Sequence, residues 1–170
     1  MLMFSLYRPG RRSTVLGLTL MGVWLGGLTM GLLAARWIGA SFGAVFLLAG
    51  ATEPPFRNAC LATVLPLFLS AFAVFFFHRF GAYLACAVRG MAIGFLMGVL
   101  TAEGGMWLCF LLLFSALAFN PVLLWYLWRR LDRELPVLCP DSLYALLAGV
   151  VLAAVDTWVV APFLAAALSF

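Results

Sequence analysis

Arg89 and Asp156 are the two charges of this 170-residue chain placed well inside long apolar stretches, Gly81–Leu100 and Leu143–Leu168. A charge at membrane depth costs a few kcal/mol on insertion scales, and it normally faces a bundle interior or a water-filled cavity. The chemistry open to such residues is ion pairing, or passage of a proton or ion. Counting along a helix puts Arg89 at roughly 12 Å and Asp156 at roughly 20 Å from the inner face, an offset that an arginine side chain spans. Plainer readings stand beside these: Arg89 snorkels to the inner interface, and Asp156 is a protonated or hydrogen-bonded structural acid. Asn120, directly before Pro121, is a third polar residue at depth. Its amide needs partners in lipid, either between helices or at a partner or ligand site.

Small residues form the second pattern. Ala82, Cys86, Gly90, Gly94 and Gly98 recur every four residues around Arg89 and share one helix face. Such a face lets another backbone approach closely. It serves packing between spans of the same chain, or docking of a partner helix or a second copy. The pairs Gly22/Gly26 and Gly27/Gly31 repeat the spacing in the first apolar stretch.

No catalytic constellation accompanies these residues. Cys60, Cys86, Cys109 and Cys139 are scattered and His78 is the lone histidine, so no metal set and no cofactor site is expected. The thiols read as small buried apolar groups, with a Cys60–Cys109 bridge the one disulfide considered. There is no Gly-Lys-Ser/Thr phosphate cradle, no His-Glu-x-x-His and no Gly-x-Ser-x-Gly. An enzyme is not expected.

The elements that must position these residues are membrane helices. The chain is 66% hydrophobic and 9% charged, with mean hydropathy +1.16, a composition suited to several spans in lipid and not to a soluble domain. All ten basic residues are arginine, net charge is +4, and no clustered basic face suggests nucleic acid. Stretches of about 20 apolar residues predict an all-α polytopic transmembrane helical bundle, a single integral membrane domain of five spans: 15–35, 59–77, 81–100, 106–128 and 143–168. Seven arginines (8, 11, 12, 79, 129, 130 and 133) fall on one side and two (36 and 57) on the other. The positive-inside rule then puts the N-terminus in the cytoplasm and the C-terminus outside. Arg8–Ala35 has features of a secretory signal, but its apolar run is long, and an uncleaved anchor is the expected reading. Trp37–Ala51 is only 15 residues long and reads as an interfacial or re-entrant segment between spans one and two. Pro66, Pro121 and Pro162 should kink their helices, with Ser70 and Ser115 near the freed carbonyls. Arg129–Ser142 reads as a cytoplasmic loop.

From His78 to about Trp128 the chain resembles the stage II sporulation protein M family of spore-forming bacteria. The resemblance rests on Arg89-Gly90, Gly94-Phe95, the short segment Thr101–Gly105 and Asn120-Pro121. The family shows a basic-Gly-x-x-x-Gly-Phe run in its third helix, a short outer loop, and an asparagine near proline in its fourth. This chain has arginine where lysine is usual there, and Ala118-Phe119 where a polar pair is usual. The resemblance implies a multi-pass protein of the bacterial cytoplasmic membrane, a non-enzymatic scaffold or anchor for cell-wall (peptidoglycan) hydrolases during engulfment. The rival expectation is a small transporter or permease subunit using Arg89 and Asp156. A homo-oligomer fits the glycine faces.

Overall fold

The computed structural model describes residues 11–38, 55–134, 139–160 and 162, with the backbone alone at residues 11, 55, 56, 58, 102–112 and 115. The described residues are helical throughout, apart from short turns. Helix α1 is Arg11–Ile38, α2 is Pro55–Leu112, α3 is Phe114–Arg133 and α4 is Pro140–Val155, which continues into a π-helical turn, Asp156–Val160. The runs are apolar and stay helical through several glycines and through Pro66 and Pro121.

Helix α2 is unbroken in hydrogen bonding, yet the chain reverses within it. Residues 73 and 81 would lie about 12 Å apart in a straight helix, but Gly81 sits directly on the carbonyl of Ala73. The reversal is at His78, which adopts the left-handed conformation with φ 49°. Histidine tolerates that region better than most residues, and β-branched residues do not. We expect His78→Val to lower stability by about 1–2 kcal/mol and His78→Gly to leave it unchanged or raise it, measured by thermal unfolding in mild detergent. Gly81 is required for a different reason: any side chain there would meet the Ala73 backbone. A second reversal lies between Leu100 and Leu113, because these two residues share one core cluster with Leu96, Met97 and Leu117.

Packing fixes the directions. Gly90, Gly94 and Gly98 meet Trp24, Leu28 and Ala35 in order, so α1 runs parallel to residues 81–101. Gly81 meets Ala73 while Arg89 reaches Ala62, and Leu100 shares a cluster with Leu113 while Arg89 reaches Ala116 and Asn120, so residues 59–77 and α3 both run antiparallel to residues 81–101. The pairs Arg129–Asp141 and Phe119–Gly149 make α4 antiparallel to α3. Five helical segments therefore alternate in direction around one core, in which Leu20, Cys86, Phe119, Leu123, Tyr126, Leu127 and Ala145 are buried. The outside is apolar: Phe68, Phe72, Phe75, Phe76 and Phe80 on α2 are exposed, as are Leu18 on α1 and Leu147 on α4. That surface suits lipid and not water.

Several expectations differ from the observed arrangement. Five spans were expected; among the described residues three helical runs, 12–38, 59–101 and 140–160, are long and apolar enough to cross a membrane. The expected spans 59–77 and 81–100 fall within one helical run, because the turn at His78 is tight enough to keep helical hydrogen bonding through it. The expected span 106–128 is split at Leu113 between α2 and α3, and α3 carries Asn120 and a charged C-terminal end. The expected outer loop Thr101–Gly105 is helical backbone. Within the expected loop Arg129–Ser142, residues 129–133 and 140–142 are helix. Glu134, at φ 50° and ψ 40°, closes α3 by donating its N–H to the Arg130 carbonyl, a left-handed cap. Pro140 opens α4 behind a Cys139–Ser142 capping box. The segment Trp37–Ala51 lies outside the described residues beyond Ile38.

Candidate functional site

The glycine face around Arg89 is fully occupied by α1. A methyl group at Gly90 would overlap the Trp24 carbonyl, and one at Gly94 the Leu28 carbonyl. The fit is reciprocal, since Gly27 and Gly31 of α1 press on the carbonyls of Ala87 and Met91. Gly98 faces Ala35, and Cys86 is a free thiol buried in the main core. The two glycine patterns seen in the sequence are thus two halves of one interface. Gly22 and Gly26 lie on the other side of α1, with nothing within 4 Å of a side chain placed there.

Arg89 points away from α1, into the groove between residues 59–77 and α3. Its Nη2 donates to the carbonyls of Ala62 at 2.7 Å and Ala116 at 3.2 Å, and its Nε donates to Asn120 Oδ1 at 3.3 Å. The first of these contacts follows from the sequence. Helical N–H groups bond the carbonyl four residues back, and residue 66 is proline, so the Ala62 carbonyl has no helical donor. Arginine fills that vacancy from a neighbouring helix, the device that lets proline persist in membrane helices. Pro121 disturbs the ladder of α3 in the same way, beside the Ala116 carbonyl and Asn120. Asn120 is 4% exposed and its Nδ2 has no acceptor among the described residues.

Asp156 is not among the contacts of Arg89. Gly149 packs on Thr63 and Phe119, at the level of the Arg89 cluster, and Asp156 follows seven residues later, about 10 Å further along the axis. It starts the π-helical turn, in which Thr157 Oγ1 donates back to the Ala153 carbonyl at 2.8 Å. Cys60 carries a free thiol, so it forms no disulfide. No group of three or more His, Cys, Asp or Glu residues gathers at metal-binding distance among the described residues.

No family model, curated protein or solved structure matches the chain.

Contacts made by four further residues escaped sequence reasoning. Arg130, assigned to a loop, is 5% exposed and donates through Nη1 to the Ala71 carbonyl and to Tyr126 Oη, each at 3.1 Å. The signal was present as a Tyr–Arg pair four residues apart on one helix face. Thr63 Oγ1 shares its proton between Ala59 O at 3.0 Å and Gly149 O at 3.2 Å, tying α2 to α4. Trp128 Nε1 donates to the Ser13 carbonyl at 2.8 Å, tying α3 to the first turn of α1. At the same end Arg129 Nε lies 3.0 Å from Asp141 Oδ2, in an ion pair whose N–H does not point at the carboxylate, and its guanidinium sits 5.3 Å from the Trp125 ring centre.

Proposed function

We propose that this protein is a non-enzymatic membrane scaffold, a five-crossing bundle of the bacterial cytoplasmic membrane that docks partner membrane proteins. The observation that carries the reading is the use of Arg89. Its described donors go to two backbone carbonyls and one amide of neighbouring segments, which fixes the register of three helices. The alternating direction of the five segments supports five crossings, and the arginine distribution supports a cytoplasmic N-terminus. Labelling of a cysteine placed at Phe170 is expected to read external; a cytoplasmic reading would overturn the five-crossing topology.

The resemblance to the stage II sporulation protein M family supplies the partner class: peptidoglycan hydrolases of the engulfment machinery. Chemistry then resides in the partners, and the scaffold itself uses no cofactor. The face left for them on α1 is the open Gly22/Gly26 side, which also fits a second copy of the chain. Recovery from mild detergent followed by mass spectrometry is expected to return cell-wall hydrolases with the full chain. Gly22→Ile with Gly26→Ile is expected to lose them while thermal stability holds. The rival reading, a transporter subunit, draws on Asp156 at the start of a π-helical turn, a distortion frequent at functional sites. A solute flux lost on Asp156→Asn, from a chain that still folds, would favour it and overturn the scaffold.

A further inference from the structure

Beside the glycine interface, α1 and residues 81–101 leave a groove of about 380 Å3, lined by Thr29, Leu32, Leu33 and Arg36 on one side and Gly98 and Thr101 on the other. Gly98 has no side chain to fill it, and Ala35 lies against Gly98, so the two helices touch there. The walls ask for no hydrogen bond. Thr29 Oγ1 donates to the Gly26 carbonyl at 2.8 Å, and Thr101 Oγ1 donates to the Met97 and Gly98 carbonyls at 2.7 and 3.2 Å. Both hydroxyl protons are spent within their own helices. Arg36 is the exception. It is exposed in the last turn of α1, with no ion-pair or hydrogen-bond partner among the described residues. Seven residues separate Thr29 from Arg36, so the apolar part of the groove extends about 10 Å along the axis from the charge. Trp37, 89% exposed, follows directly, and tryptophan is enriched at the level of lipid headgroups. An occupant that satisfies both ends joins an anionic group to an apolar chain.

We propose that this groove binds one anionic phospholipid, with its phosphate on Arg36 and an acyl chain along Leu32, Leu33 and Gly98. The planar guanidinium matches phosphate oxygens, and a net negative headgroup compensates a charge that no described residue meets. The volume falls within the range of about 300–1,000 Å3 for small-molecule sites. A free phosphate would leave the apolar walls bare, and an apolar helix would leave the charge unmet. The lipid covers the seam between α1 and residues 81–101, so it supports the helix pair that the glycines join. This site rests on the bundle crossing a membrane, but not on the identity of any docked partner.

The test uses the full chain in mild detergent with dioleoylphosphatidylglycerol added, and dioleoylphosphatidylcholine as the comparison of zero net charge. Native mass spectrometry counts the retained lipid, and thermal unfolding reads its effect. One phosphatidylglycerol per chain is expected to be retained, and to raise Tm saturably by about 3–6 °C at tenfold excess over the dissociation constant. Arg36→Gln is expected to weaken that binding at least about fivefold. Leu33→Trp fills the groove from an exposed position and is expected to lose the lipid with Arg36 intact. Both variants are expected to match the wild type in Tm without lipid, since both positions are exposed. Arg12→Gln, at the opposite end of α1, is expected to bind as the wild type does. Equal responses to the two lipids would overturn the site, as would retention that persists in Leu33→Trp or equal losses in Arg12→Gln and Arg36→Gln. A wild-type chain that retains no lipid, its groove filled by another part of the chain or by a second copy, would also overturn it. Hydrolase recovery is read separately, so failure of the scaffold reading leaves this result distinguishable.

Discussion

Gly94→Ala, the addition of one methyl group, is expected to separate α1 from the rest of the bundle. In an exposed helix the same change stabilises by up to about 1 kcal/mol. Here the methyl would lie on the Leu28 carbonyl, with the Leu28 Cα and carbonyl carbon close behind. Neither helix backbone can yield without losing the matching contacts at Gly27, Gly31 and Gly90. Overpacking costs about 1–3 kcal/mol in ordinary cores, and a backbone collision along a rigid helix pair falls at or above the upper end. Gly94→Leu goes further and is expected to abolish recovery of folded protein. Two controls make the result specific. Gly26→Ala has open space and is expected to be neutral or mildly stabilising. Leu96→Ala removes a partly buried side chain at the edge of a small cluster and is expected to cost less than Gly94→Ala. Thermal unfolding in detergent reads all four, and a Gly94→Ala protein as stable as Gly26→Ala would remove the glycine interface from this account.

Arg89→Leu is expected to produce the second large loss, and Pro66→Ala is expected to repair part of it. Removing the guanidinium leaves the Ala62 carbonyl without a donor, because Pro66 cannot supply one, and leaves the Asn120 amide without its partner. Each orphaned buried group costs about 1–3 kcal/mol. Alanine at position 66 restores an N–H to the Ala62 carbonyl from within its own helix. The double variant Arg89→Leu/Pro66→Ala should therefore recover about one orphaned group relative to Arg89→Leu. Arg89→Leu/Asp156→Leu should recover nothing comparable, since Asp156 is not among the contacts of Arg89. The coupling between positions 89 and 66, read as a double-mutant cycle, is the decisive quantity. Additive losses would mean that the arginine does not serve the proline-freed carbonyl. In a scaffold, partner recovery follows stability through this series.

Part of this architecture was legible in the residues. Arg89 in an apolar run, glycines four apart and prolines at depth marked residues that take part in the Arg89 cluster and in the α1 interface. The turn near His78 was readable from His78-Arg79 between the apolar stretches 59–77 and 81–100. What could not be read was pairing. Spacing shows that a carbonyl is freed at Ala62, but only the fold brings Arg89 to it rather than Ser70. Spacing likewise offers two glycine faces on α1 without saying which one meets residues 87–98. Arg130 misled because charged residues at a helix end normally face water. Its burial depends on the Ala71 carbonyl and Tyr126 hydroxyl, which arrive from distant and adjacent turns respectively. Hydropathy counts also cannot tell a long helix from one folded back on itself, since composition is blind to a single left-handed residue.

The mutual fit of α1 with residues 87–98 has a consequence for biogenesis. Gly27 and Gly94 meet partners about 60 residues distant in the chain, and at translation rates of about 5–20 residues per second the gap lasts roughly 3–12 s. Throughout that interval α1, long and apolar enough to cross a membrane, has both of its glycine faces bare. The nascent helix is then open to premature pairing with another copy or with an unrelated span, and the arrival of residues 87–98 closes one of those faces for good. Whatever recognises α1 by its Gly27/Gly31 side must act during synthesis, and whatever recognises it by Gly22/Gly26 can act on the finished protein.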